Sequence, residues 1–147
     1  LWMRNKPYDI LIAEDEETDA FFAEQAFSTS DADVHIHIVK DGQEAIDFLE
    51  NKAPFEGAPR PDLILLDIKM PKKDGHEALS DIKSNTAFSD IPVIMLSSST
   101  APEDIEKSYK NHANAHVPKA KGLNEMIEFA NLVHEFWFVR GCLPEKA

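Results

Sequence analysis

Five polar residues stand where short apolar runs end. Glu14 and Asp15 follow Tyr8–Ala13, Asp67 follows Leu63–Leu66, Ser97 follows Val93–Leu96, and Lys119 comes just past Ala115–Val117. Carboxylates drawn close repel one another and stay ionised only with a cation among them. Oxygen ligands without His or Cys suit Mg²⁺, which keeps several waters and takes phosphate oxygens as well. A lysine ammonium is a point-charge partner for a phosphoryl oxygen, and a serine hydroxyl can donate a hydrogen bond to one. In such a group Asp67 is the natural nucleophile, because a carboxylate can form an aspartyl-phosphate. Each residue also has a plainer reading. Glu14 to Glu17 is an acidic run suited to a solvated helix start, where the dipole favours it. Asp67 could cap a turn before Pro71, Ser97 to Ser99 is a common polar loop, and Lys119 could be a surface charge. Their placement at successive strand ends is what argues for chemistry.

For those residues to meet across 106 positions, from 14 to 119, their strands must lie side by side and point one way. The chain reads as strand then helix, five times over. Tyr8–Ala13 is a strand, and Glu16–Phe27 is a helix with Phe22, Ala23, Ala26 and Phe27 on one face. Val34–Val39 alternates apolar residues with His35 and His37, as a half-exposed edge strand does. Asp41 with Glu44 reads as a capping box for a helix through Glu50, whose Ala45, Ile46 and Leu49 face one way. A long loop, Asn51–Pro61, leads into the continuous apolar strand Leu63–Leu66. Asp74 with Glu77 caps the next helix ahead of Ala78, Leu79 and Ile82. Val93–Leu96 is another continuous strand, Thr100 with Glu103 is the expected cap of a fourth helix with Pro102 in its first turn, and Ala115–Val117 is the fifth strand. A last helix runs from Leu123 to about Val139. Alternation of this kind predicts an α/β fold, a doubly wound five-stranded parallel sheet with helices on both faces. Functional residues of such sheets gather beyond the carboxyl ends of the strands.

Composition bounds the partners. With 147 residues, the chain is expected to form one domain over 8–140, after a ragged start at 1–7 and before a short tail at 141–147. Fifteen basic residues against 27 acidic ones give a net charge of −12, which argues against nucleic acid or an anionic membrane as partner. The single cysteine, Cys142, cannot pair within the chain, and no apolar run is long enough to span a bilayer; a cytoplasmic location is expected. The five glycines are too scattered for a dinucleotide fingerprint or a P-loop.

Taken together, these motifs resemble the receiver domain of two-component response regulators. Glu14-Asp15 after a strand, Leu65-Leu66-Asp67 followed by Met70-Pro71 and Asp74-Gly75, Pro92 through Ser97, and Val117-Pro118-Lys119 carry the resemblance, which covers about Tyr8 to Phe138. Arg60-Pro61-Asp62, Lys72-Lys73-Asp74-Gly75 and Phe136-Trp137 make it most similar to small stand-alone regulators that partner bacterial phytochromes. The resemblance implies a flavodoxin-like (βα)5 fold and a phosphoacceptor rather than an enzyme. Asp67 would take a phosphoryl group from a phosphohistidine on a sensor histidine kinase, or exchange it with a phosphotransfer protein. Asp15 and Asp67 would bind Mg²⁺ directly, Glu14 mostly through water, and Lys69 through its backbone carbonyl. Lys119 would pair with the phosphoryl oxygens, and Ser97 would swing in to report the phosphoryl group. The family's switch aromatic falls at His116, where this sequence departs from Tyr or Phe, and a cis-proline commonly found after the lysine is replaced by Ala120. No attached output domain is expected, so the signal would pass by conformational change and protein–protein contact.

Two other functions fit parts of the pattern. A phosphatase of haloacid-dehalogenase type wants a second Asp two residues after the first, where this chain has Lys69. A pseudo-receiver that never takes phosphate would be expected to lose Asp67, Ser97 or Lys119, and all three are present. His35 and His37 read as a surface pair on an edge strand rather than a metal site. On the last helix, Leu123, Met126, Ile127, Ala130, Val133 and Trp137 follow core spacing. Phe129, Leu132, Phe136 and Val139 form a second stripe, surplus for a monomer, which predicts a homodimer through this face.

Overall fold

The computed structural model describes residues 7–29 and 33–145. Most of the expected ragged start (1–6) and the end of the expected tail (146–147) lie outside the described residues. Five strands, β1 (Tyr8–Ala13), β2 (Val34–Val39), β3 (Leu63–Asp67), β4 (Val93–Ser97) and β5 (Ala115–Pro118), form one parallel sheet in the order β2-β1-β3-β4-β5. Helices α1 (Glu17–Ser28), α2 (Gly42–Leu49), α3 (Gly75–Ser84), α4 (Pro102–Lys110) and α5 (Gly122–Val133) alternate with them. β1, β3 and β4 are buried along their whole length, which is why their apolar runs are uninterrupted. β2 is an edge strand, half-buried or exposed along Val34 to Ile38 and buried at Val39.

Two cores result, one on each face of the sheet. Leu11, Ile64, Leu66 and Met95 face Ala45, Phe48, Ala78, Leu79 and Ile82 of α2 and α3. Ile10, Ile12, Leu63 and Leu65 face Ala23, Ala26 and Phe27 of α1 and Met126, Ala130 and Val133 of α5.

Helix starts depart from expectation in two places. Asp74 and Glu77 close a complete capping box. Asp41 accepts from the Glu44 amide, but the Glu44 carboxylate reaches past the cap to the Lys40 amide, so that box is only half formed. Thr100 does not cap α4. The flanking residue is Ala101, with no side-chain cap, because Pro102 occupies the first helical position. A proline there has no N–H to satisfy, and it holds the preceding residue extended.

The last helix changes register. The α-helical pattern stops at Val133 and continues as a π-helix over His134–Arg140. A π turn closes five residues on rather than four. Stepping four from Val133 reaches the expected core residue Trp137, whereas stepping five reaches Phe138. Phe138 is 2% exposed and stacks on Tyr8 with ring centroids 4.2 Å apart, while Trp137 is only half-buried. Leu123, also expected in the core, is exposed at the start of α5. In the second stripe, Leu132 (69%) and Phe136 (62%) are exposed, while Phe129 and Val139 are half-buried.

Candidate functional site at the strand ends

The sheet register brings the polar residues together. Ala13 pairs with Leu66, so Glu14 is carried beside Asp67. Asp67 pairs with Leu96, Ser97 pairs with Pro118, and the Lys119 amide donates to the Ser97 carbonyl at 2.8 Å. The outcome is one cluster: single carboxylate oxygens of Glu14, Asp15 and Asp67 all lie within 4.8 Å of one another. Glu14 and Asp67 are buried, and Asp15 is exposed.

Lys119 is the counter-ion. Its Nζ is 2.7 Å from Glu14 Oε1, 3.0 Å from Asp19 Oδ2 and 3.3 Å from Asp67 Oδ2. Burial pushes Glu14 up to about 7, against the pull of Lys119 and the Glu16 amide. Burial also raises Asp67, opposed by the Lys119 charge. Burial acts to lower Lys119, but Glu14, Asp19 and Asp67 outweigh it and leave the ammonium well above its ordinary value. One ammonium therefore does not fully offset the acids around it. A further cation among three clustered oxygens would relieve Glu14 and Asp67, so the donor set fits a hard divalent ion.

One glycine shapes the floor. Gly75 opens α3 so close to the end of β3 that a Cβ there would meet the Asp67 carbonyl oxygen at 2.3 Å and Ile68 Cα at 2.8 Å. Its amide donates to the Ile68 carbonyl at 2.8 Å. Lys69 and Asp15 border an open groove that continues along Met70, Pro71 and Asp74.

Ser97 is at the site but turned to its own loop. Its hydroxyl donates to the Ser99 carbonyl at 2.6 Å and accepts from the Ser99 amide at 3.0 Å. His116 faces inward against α4: its Nδ1 is 2.9 Å from Ser108 Oγ, and its Nε2 is buried without a hydrogen-bond partner. Burial lowers its pKa, the neighbouring His76 adds to this, and Asp104 opposes it. The Lys119–Ala120 bond is trans; the cis bond among the described residues is Ala53–Pro54.

Sequence reasoning missed Asp19. It is separated from Lys119 by 100 positions, and nothing in the spacing of an acidic helix start singles it out. The expected surface pair on β2 is also less simple than it looked. His37 Nε2 is 2.8 Å from Asp9 Oδ1, and His35 is 3.7 Å from the same oxygen.

A family model described as the response regulator receiver domain matches residues 10–131. The chain is 36% identical over 140 residues to response regulator Rcp1 of Synechocystis sp., covering 95% of each. It is 34% identical to the probable methanogenesis regulatory protein FilR2 of Methanothrix harundinacea, covering 89% of this chain and 84% of that protein. In structure it is similar to the phosphorylated cyanobacterial phytochrome response regulator RcpA, with a TM-score of 0.89 and 36% identity over 95% of this chain and all of that one. It is similar also to the Mn²⁺-bound form of Rcp1, with a TM-score of 0.87, 36% identity and the same coverage.

Proposed function

The chain belongs to the response regulator receiver domain family, a family of signalling proteins rather than classical enzymes, and on that premise we propose that it takes a phosphoryl group from a sensor histidine kinase onto Asp67. The observation that carries the proposal is the cluster of Glu14, Asp15 and Asp67 with Lys119 Nζ bridging two of them. Asp15 and Asp67 would hold Mg²⁺, with Glu14 acting through water and the Lys69 carbonyl as a further ligand. Mg²⁺ there supplies charge neutralisation for the incoming phosphoryl oxygens. An Asp67 carboxylate oxygen attacks phosphorus as the P–N bond of the phosphohistidine breaks. The imidazole leaves with the bonding pair and takes up a proton. Lys119 pairs with a phosphoryl oxygen as charge builds there. Ser97 leaves its bond to the Ser99 carbonyl to donate to the phosphoryl group, and His116 is the residue that responds on the β5–α4 side.

The kinase is of bacterial-phytochrome type, a reading supported by the relatives described as phytochrome response regulators. A cytoplasmic location goes with that partner; among the described residues no helix is long and apolar enough to cross a membrane. A homodimer through the last helix is supported by the exposure of Leu132 and Phe136 and the half-burial of Phe129 and Val139. Sedimentation of wild type and of a Phe129→Glu, Phe136→Glu variant tests the dimer, and a monomer at high concentration refutes it.

Acetyl phosphate with Mg²⁺ tests the central reading. The expected result is a labile mass gain of one phosphoryl group on the wild type and none on Asp67→Asn. Turnover of phosphate esters would point instead to a phosphatase. An unmodified wild type, with acetyl phosphate and with a competent kinase, would leave a pseudo-receiver.

A further inference from the structure

The Lys119 ammonium has three N–H donors, and three carboxylates stand within 3.3 Å of it: Glu14, Asp19 and Asp67. Two of these belong to the acid cluster with Asp15; Asp19 does not. The inference rests on Asp67 as phosphoacceptor. During transfer, one Asp67 oxygen becomes bonded to phosphorus, and Glu14 would be shared with the cation that it helps to hold through water. Asp19 is then the one carboxylate whose grip on Lys119 need not change.

The stem of Lys119 needs such a grip. It is a four-carbon chain with large rotamer freedom, just beyond the end of β5. Its side chain as a whole is 15% exposed, so most of the stem is packed against protein. Behind it, between α1 and α5, is a small cavity of about 20 Å³ bordered by Ala23, Pro118, Ala120, Met126 and Phe129. That is room for about one water, so the packing beside the stem is not tight enough to fix it by itself. Asp19 projects from the first turns of α1, an element anchored independently by Ala23, Ala26 and Phe27.

We propose that Asp19 is a positioning residue, holding the Lys119 ammonium against the α1 side of Asp67 throughout phosphoryl transfer. It touches neither the phosphoryl donor nor the cation.

The test uses Asp19→Asn, Asp19→Ala and Asp19→Glu in the full chain. Three quantities are measured: the maximal phosphorylation rate with acetyl phosphate at saturating Mg²⁺, the half-saturating acetyl phosphate concentration, and Mg²⁺ affinity by calorimetric titration. Loss of a charge-assisted hydrogen bond should slow the maximal rate about tenfold in the Asn and Ala variants. The half-saturating concentration and Mg²⁺ affinity should stay within about twofold, with the Glu variant recovering part of the rate by keeping the carboxylate. Relaxation measurements at the Lys119 Cε methylene, without phosphoryl donor, should show greater mobility in Asp19→Asn than in wild type. Asn is close to Asp in volume, so it carries the test should Asp19→Ala unfold. A wild-type rate in Asp19→Asn, or Mg²⁺ affinity falling in step with the rate, would overturn the positioning role while wild type is still phosphorylated. If wild type takes no phosphate on Asp67, the reading beneath it fails as well.

Discussion

Replacing Lys119 by Met keeps most of the apolar stem and removes the charge. The side chain is 15% exposed, and its carboxylate neighbours Glu14 and Asp67 are 5% and 8% exposed. Breaking a buried ion pair by deleting one partner costs about 3–5 kcal/mol, because the remaining charge is stranded. Here two buried acids and the half-exposed Asp19 lose their shared cation, so the expected loss is in that range. With a urea slope of about 2 kcal/mol/M, the midpoint should fall by about 1.5–2.5 M in EDTA.

The loss should depend on pH with a definite sign. Glu14 stands at about 7 in the folded wild type against an ordinary 4.5. A carboxyl raised on folding favours the folded state when protonated. That contribution is full below the unfolded pKa and is lost as pH rises through the folded one. Without Lys119, Glu14 and Asp67 should rise further, so the variant's deficit should widen between pH 5.5 and 8. Mg²⁺ at a hundredfold excess over its Kd should return about 2.7 kcal/mol. The variant should gain more than the wild type at equal Mg²⁺, since the added cation no longer competes with an ammonium. Urea titrations in EDTA and in Mg²⁺ at three pH values read all of this. A deficit below about 1 kcal/mol that is flat with pH would refute the electrostatic argument.

Other outcomes follow from single contacts. Gly75→Ala would press a methyl on the Asp67 carbonyl, costing about 1–3 kcal/mol by overpacking and weakening Mg²⁺ binding, as denaturation and calorimetry would show. Phe138→Ala should cost about 3–5 kcal/mol and Trp137→Ala distinctly less, because the π-helix buries the former; equal midpoints would contradict the register. His116 is held below its ordinary value by burial, with His76 adding to the effect. A histidine lowered on folding leaves stability intact above its unfolded value and costs stability as pH falls through that value toward the folded one. Wild type should therefore lose more stability than His116→Phe between pH 7.5 and 5.5; parallel profiles would remove His116 as the cause. Asp67→Asn should be more stable than wild type in EDTA at pH 8, since burial disfavours the ionised carboxylate; a lower urea midpoint would count against that.

The amino-acid sequence determined the elements. Continuous apolar runs made β1, β3 and β4 buried strands, alternation marked β2 as an edge, and Asp41 and Asp74 began α2 and α3. These are local signals, because strand period, helix period and capping act over a few neighbouring residues. They also put Glu14, Asp15, Asp67, Ser97 and Lys119 at strand ends, so the acid–lysine cluster was legible once the sheet was taken as parallel. Only the tertiary structure decided the strand order, the register that seats Glu14 beside Asp67, and the pairing of Asp19 with Lys119 across 100 positions. It also decided the slip from Trp137 to Phe138, where the helix widens into a π turn and Phe138 stacks on Tyr8. The reason is the same in each case. A contact between residues far apart in the chain is selected by how whole faces pack, and no short window of sequence contains both sides of it.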